Sequence, residues 1–95
     1  MIGDAKYGII SLDPGETQEI KPAAYREEWI LVNFMTSGAA KFEVTDGTNS
    51  VTFWETTGAE SLRGQSLHVT QYYYVKVTNT DSSTILVAYD GVQSR

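Results

Sequence analysis

The side chains able to do chemistry are few, and each has to be weighed by its spacing. His68 is the single histidine, so any Ser-His-acid arrangement must use it. It falls mid-strand between Leu67 and Val69, on the face shared by Ser66 and Thr70, and reads as a hydrogen-bonded histidine on a sheet surface. Glu27 and Glu28 adjoin Trp29, and carboxylates beside an aromatic platform suit carbohydrate. Adjacent strand residues point to opposite faces, however, so the two cannot act as one acid/base pair; a solvated boundary between loop and strand is the better reading.

Asp46-Gly47-Thr48-Asn49 and Asn79-Thr80-Asp81-Ser82 offer hard oxygen ligands of the kind calcium takes. The same residues are ordinary turn chemistry, because Asn and Asp side chains bond their own backbone. Zinc is disfavoured by one histidine and no cysteine. Neither a nucleophile elbow nor a glycine-rich phosphate loop occurs. The expectation is a protein with no catalytic residues, no metal and no cofactor.

The bulk properties narrow the class. The 95 residues make one domain, residues 1–95, with 41% hydrophobic and 20% charged residues; that composition suits a folded core. The net charge is −5, and the seven Lys and Arg are scattered, leaving no basic stripe for nucleic acid. No apolar run approaches the ~20 residues that span a bilayer. The first residues lack the charged-then-apolar pattern of a leader, so a cytoplasmic origin without export is expected. The absence of cysteine removes disulfides as a source of stability and points to oligomerisation.

The elements that must position these residues are short strands. Tyr7 and Ile9 alternate with Gly8, Ile10 and Leu12. Asp13-Pro14-Gly15-Glu16 makes a turn, with Pro presetting φ and Gly supplying a positive φ. Thr17 to Ile20 follows, stopped by Lys21-Pro22. Trp29 to Met35 is the most apolar run, with Ile30, Val32 and Phe34 on one face and Trp29, Leu31, Asn33 and Met35 on the other. Ala40–Thr45 and Ser50–Glu55 flank Asp46-Gly47 as a tight hairpin, with Val51 and Phe53 inward and Trp54 outward. Gln65 to Thr70 is a further strand. Gln71 to Gly91 reads as two β-rich runs joined by Thr80-Asp81-Ser82-Ser83 into a hairpin. Tyr73, Val75 and Val77 are assigned to the core, Tyr72 and Tyr74 to the opposite face. The fold expected is all-β: an antiparallel two-sheet β-sandwich of about eight strands, jelly-roll-like or immunoglobulin-like.

Giving one face of each strand to the core leaves Trp29, Leu31, Met35, Trp54, Tyr72, Tyr74 and Leu86 on second faces. A contiguous set of this kind marks an interface with another chain or a ligand.

Glu28-Trp29-Ile30 followed by Asn33, Asp46-Gly47-Thr48-Asn49, Leu67-His68-Val69-Thr70, Val75 through Thr80, and Tyr89-Asp90-Gly91-Val92-Gln93 together form an ordered set. In that set the chain resembles small β-rich virion proteins of tailed bacteriophages, most of all capsid decoration (cement) proteins; others of similar appearance belong to head fibres or tails. The resemblance implies a homotrimer bound to a major capsid protein on the outer shell of a virion, and carries over no catalytic residue. A glycan- or receptor-binding module of a fibre or tail is the alternative, with Trp29, Trp54, Tyr72 and Tyr74 as stacking platforms.

Overall fold

The computed structural model covers all 95 residues and holds nine strands and no helix. They are β1 (Ala5–Leu12), β2 (Thr17–Ile20), β3 (Trp29–Thr36), β4 (Ala40–Thr45), β5 (Ser50–Glu55), β6 (Glu60–Leu62), β7 (Leu67–Val69), β8 (Tyr74–Asn79) and β9 (Ile85–Gln93). One sheet runs β1-β9-β3, with β6 and β7 both on the far side of β3; the other runs β2-β8-β4-β5. All pairings are antiparallel.

This order is that of one long hairpin rolled up. The chain doubles back at Asp46–Asn49, so β4 meets β5, β3 meets β6 and β7, β2 meets β8 and β1 meets β9. Rolling then splits the ribbon into two facing sheets, which is the jelly-roll alternative; the immunoglobulin arrangement does not occur. The topology also corrects the expected hairpin at Gln71–Gly91. β8 and β9 lie in different sheets, and Thr80–Thr84 crosses between them. Turn chemistry dictates that a chain reverses, not which sheet receives it.

Buried Asn79 fastens that crossing. Its Nδ2 donates to the carbonyls of Leu12 (2.8 Å) and Ser83 (2.9 Å), and its Oδ1 accepts from Asp81 N (2.7 Å). The backbone of Asn79 bonds Gly15 and Glu16 in the β1–β2 turn. Two of the four connections between the sheets at this end, β1–β2 and β8–β9, therefore hang on one amide, fully satisfied by its hydrogen bonds.

Two bulges decide which side chains reach the core. In β3, Leu31 pairs with Gly91 and Asn33 with Asp90, so Val32 is an extra residue. An extra residue inverts the alternation beyond it. Trp29 and Leu31 therefore face inward before the bulge, and Phe34 and Thr36 after it. Leu31 is 0% exposed, a correction of its assignment to an outer face. In β5, Phe42 pairs with Trp54 and Glu43 with Thr52, so Phe53 is extra. Phe53 and Trp54 both turn inward, and Trp54 tilts against Phe42 at 4.8 Å between ring centroids. Phe34 meets Phe42 and Phe53 at 5.7 Å each, which completes a four-ring cluster across the sandwich.

At the first bulge β9 comes so close to β3 that a Cβ on Gly91 would overlap the Ile30 carbonyl oxygen and lie 2.8 Å from Leu31 Cα. Both obstacles are backbone and cannot swing aside. Gly91→Ala is therefore expected to destabilise the fold by at least ~1–3 kcal/mol, the range for forced overpacking, and the core truncation Phe34→Ala by roughly 3–5 kcal/mol. Urea unfolding followed by tryptophan fluorescence measures both; wild-type stability for Gly91→Ala would show the bulge to be pliable.

Candidate functional site

The outer faces of the two sheets differ in kind. On the β2-β8-β4 side, in-register rows place Thr17 beside Thr78 and Lys41, and Glu19 beside Lys76 and Glu43. Ion pairs join Lys21 to Glu19 (3.2 Å) and Lys41 to Glu43 (3.9 Å). That face is charged and hydrated. The β1-β9-β3 side is apolar. Ile9, Ala88 and Met35 form one row, Leu86 stands beside Ser11 in the next, and Val92 and Ile30 form another. Tyr7 flanks them in a row with Asp90 and Asn33. Tyr7 is 77% exposed, Ile9 76% and Leu86 53%, and Asn33 Nδ2 donates to Asp90 Oδ1 (2.8 Å) within the patch.

Of the seven side chains expected at an interface, the structure brings Met35 and Leu86 together on this face. Trp29, half-buried, and Leu31 are drawn inward by the β3 bulge, and Trp54 by the β5 bulge. Tyr74 is buried with the core cluster at 8% exposed, and Lys21 lies over its ring at 4.5 Å. Desolvation raises its pKa above the usual phenol value, with Glu19 adding to the effect. Tyr72 remains on the surface, at the other end of the molecule. Tyr73, assigned to the core, lies in the bend before β8 and is largely exposed, because the strand begins only at Tyr74. The residues missed as surface candidates are Tyr7, Ile9, Ile30, Ala88 and Val92. The alternation of β1 separates Tyr7 and Ile9 from Ile10 and Leu12, so their shared face was readable; its exposure was not.

Tyr72 and Tyr25 stand edge to face, 5.8 Å apart. With Arg26, Glu27, Glu28, Thr70 and Arg95 they line an open depression of about 450 Å³. Glu28 is held at its floor. Ser94 Oγ donates to Glu28 Oε1 (2.9 Å), and His68 Nδ1 lies 3.2 Å from the same oxygen. The His68 bond, then the Ser94 bond, hold the Glu28 carboxyl below its ordinary value against a smaller opposing effect of burial. The carboxylate sits between imidazole and hydroxyl, whereas nucleophile activation needs the imidazole bonded to the hydroxyl. The trio acts as a clasp, reinforced by Ser94 N donating to the Glu28 carbonyl (2.8 Å). Glu27 turns the other way, accepting from Trp29 Nε1 (2.6 Å) with Lys6 Nζ at 3.6 Å. The two carboxylates thus take separate partners, although both precede β3 and line the same depression.

A second pocket, about 260 Å³, opens between the sheets and is lined by Phe34, Val44, Phe53, Gln65, Ser66, Leu67 and Tyr73. It offers no imidazole or carboxylate, and no three His, Asp or Glu side chains gather anywhere as a metal set. The two oxygen-rich turns bind their own backbone. Asp46 Oδ1 accepts from Thr48 N (2.9 Å) and Asn49 N (2.7 Å). Asp81 accepts from Ala39 N (3.0 Å) and Ser82 N (2.7 Å). These amide bonds lower both carboxyl pKa values.

No protein-family model and no curated protein sequence matches this chain. Solved structures do. A de novo designed double-stranded β-helix aligns at a TM-score of 0.54 and 19% identity, covering 90% of this chain and 97% of that one. The nucleoplasmin-like N-terminal domain of Drosophila FKBP39 aligns at 0.55 and 12% identity over 90% of this chain and 87% of its own. The capsular polysaccharide assembling protein CapF of Staphylococcus aureus aligns at 0.57 and 11% identity. It matches over 100% of this chain but only 26% of CapF, so this chain spans about a quarter of CapF's length. At these identities the likeness is one of fold: an all-β, two-sheet double-stranded β-helix.

The Glu28 clasp has a readable pH signature. A carboxyl whose pKa is lowered on folding stabilises the native state above its unfolded value, near 4.5, and that contribution disappears as pH falls through the lower folded value. Glu28→Gln should melt below wild type at pH 7, and the gap should narrow toward pH 3. Circular dichroism melts across that range test it; a gap independent of pH would assign the loss to packing.

Proposed function

We propose that this domain is a structural assembly module that associates with copies of itself and with a larger partner through the outer face of the β1-β9-β3 sheet. The observation behind the reading is the contrast between the two outer faces. One is covered by ion pairs and threonines, while the other presents Tyr7, Ile9 and Leu86 to solvent around Met35 and Ala88. Monomeric proteins rarely leave apolar patches beyond a few hundred Å² uncovered. A shell whose subunits each grip weakly gains from many copies, and a small cysteine-free domain gains stability from partners. On the resemblance drawn from sequence, the larger assembly is a bacteriophage capsid and the module a decoration protein on it; the fold comparisons are neutral on that point.

A second reading rests on the Tyr25–Tyr72 depression. Two exposed rings beside Arg26, Arg95, Glu27 and Glu28 suit a saccharide, which stacks on aromatic faces and bonds to charged side chains. Trp29, Trp54 and Tyr74 play no part in it, since each is at least half covered.

Light scattering coupled to size exclusion should give an oligomer for the native chain, and Ile9→Lys, on the exposed face of β1, should shift it toward a monomer that still unfolds cooperatively and loses only the stability that association adds. Trp54→Lys, by contrast, should unfold the domain. A native chain that is monomeric at every concentration would sink the assembly reading. Binding of a glycan array by the native chain, lost in Tyr72→Ala, would favour the saccharide site instead.

A further inference from the structure

We propose that β1 is a docking edge for a second copy of this chain, the two β1 strands pairing antiparallel about a twofold axis so that two sheets become one. The inference deepens the self-association proposed above, and rests on it, by naming the edge that makes the contact.

An edge strand carries a row of unpaired N–H and C=O groups, and proteins blunt such edges with short strands, bulges, proline or charge. This sandwich has four edges, and three are blunted. β2 is four residues long and runs into Lys21-Pro22. β5 is broken by the Phe53 bulge. The far side of β3 is covered by two separate three-residue pieces, β6 and β7.

β1 has none of these protections. It is eight residues long, contains no proline, and pairs with β9 in unbroken register from Ala5 to Leu12. Its backbone bonds to no other strand, and only the Leu12 carbonyl is taken from elsewhere, by Asn79. The one charge on β1, Lys6, is turned inward to Glu27 (3.6 Å) and to the Trp29 ring (5.6 Å). The outward residues Ala5, Tyr7, Ile9 and Ser11 are uncharged. Within the ladder from Ala5 to Ser11, two copies of a chain carrying −5 therefore meet without opposing like charges, the flanking Asp4 being paired with the Met1 ammonium at 3.0 Å, and the self-complementary order of the row about Gly8 fits a second copy as the occupant.

With the axis passing Gly8, Tyr7 of each copy lies opposite Ile9 of the other, an aromatic against a β-branched side chain on one face. The apolar patches then run together, with Tyr7, Ile9, Leu86 and Met35 of both copies on a single continuous surface. Isologous pairing uses the same edge twice and closes at two copies. The unit is a dimer, in place of the trimer implied by the sequence resemblance.

The chain has no cysteine, so engineered thiols report cleanly. Tyr7→Cys and Ile9→Cys are made as separate single variants, mixed, and oxidised mildly; light scattering is run on the unmodified chain. The expected result is a dimer by scattering and a disulfide-linked dimer that forms at least ten times faster from the mixture than from either variant alone. Val51→Cys, on the bulged β5 edge, should cross-link no faster than random collision. A trimer, or a dimer with no preference for the mixed disulfide, would overturn edge pairing and leave self-association standing. A monomer throughout would remove both.

Discussion

The close passage of β9 across β3 at Gly91 is the constraint on which the remainder of the molecule depends. Without a side chain there, the β9 backbone can sit against Ile30 and Leu31, and Val32 is squeezed out as a bulge. That one extra residue changes the parity of the most apolar strand in the protein. Trp29 and Leu31 join Phe34 and Thr36 inside, and the sandwich fills with side chains that strict alternation would place on opposite faces. The Phe53 bulge does the same for Trp54. Two local irregularities thus move a leucine and both tryptophans to the core side, and each fully buried large side chain is worth about 1.5–3 kcal/mol.

The same rearrangement concentrates what is left outside. Had Trp29, Leu31 and Trp54 stayed on outer faces, apolar surface would be spread over both sheets. Instead the β2-β8-β4 exterior is charged, and the apolar surplus gathers on β1, β9 and the second half of β3, where no bulge intervenes between Phe34 and Thr36. A surface of that polarity beside an unblunted edge strand is a matter of geometry, and it directs association to one side of the molecule.

The polar groups are spent on the architecture. Asn79, Asp81 and Asp46 satisfy backbone groups in the connections, and Glu28 ties β3 to β7 and to Ser94. In a rolled hairpin most contacts join residues far apart in sequence, so its sharp connections need side chains that bond backbone wherever strand ladders stop. This accounts for turns rich in Asn, Asp, Ser and Thr without assigning them a ligand.

Strand positions other than β6, which lies in the Thr56–Gly64 stretch that reads as a polar loop, the tight turn at Asp46-Gly47, the turn at Pro14-Gly15 and the all-β sandwich class were legible in the sequence, because period-two alternation and turn chemistry act over a few residues. The outward direction of Met35 and Leu86 was legible for the same reason, since each lies in an unbroken stretch of its strand, whereas for Tyr7 and Ile9 only their sharing of a face was. Three things were decided only by tertiary structure. The destination of β9 depended on the nested pairing of the whole ribbon, which no single turn encodes. The placement of Trp29, Leu31 and Trp54 depended on bulges, which arise where one strand must accommodate its neighbour's backbone. The cover on Tyr74 depended on Lys21, brought across from β2 by the sheet. A side chain's face is a local property only while the register is unbroken, and register belongs to the pair of strands.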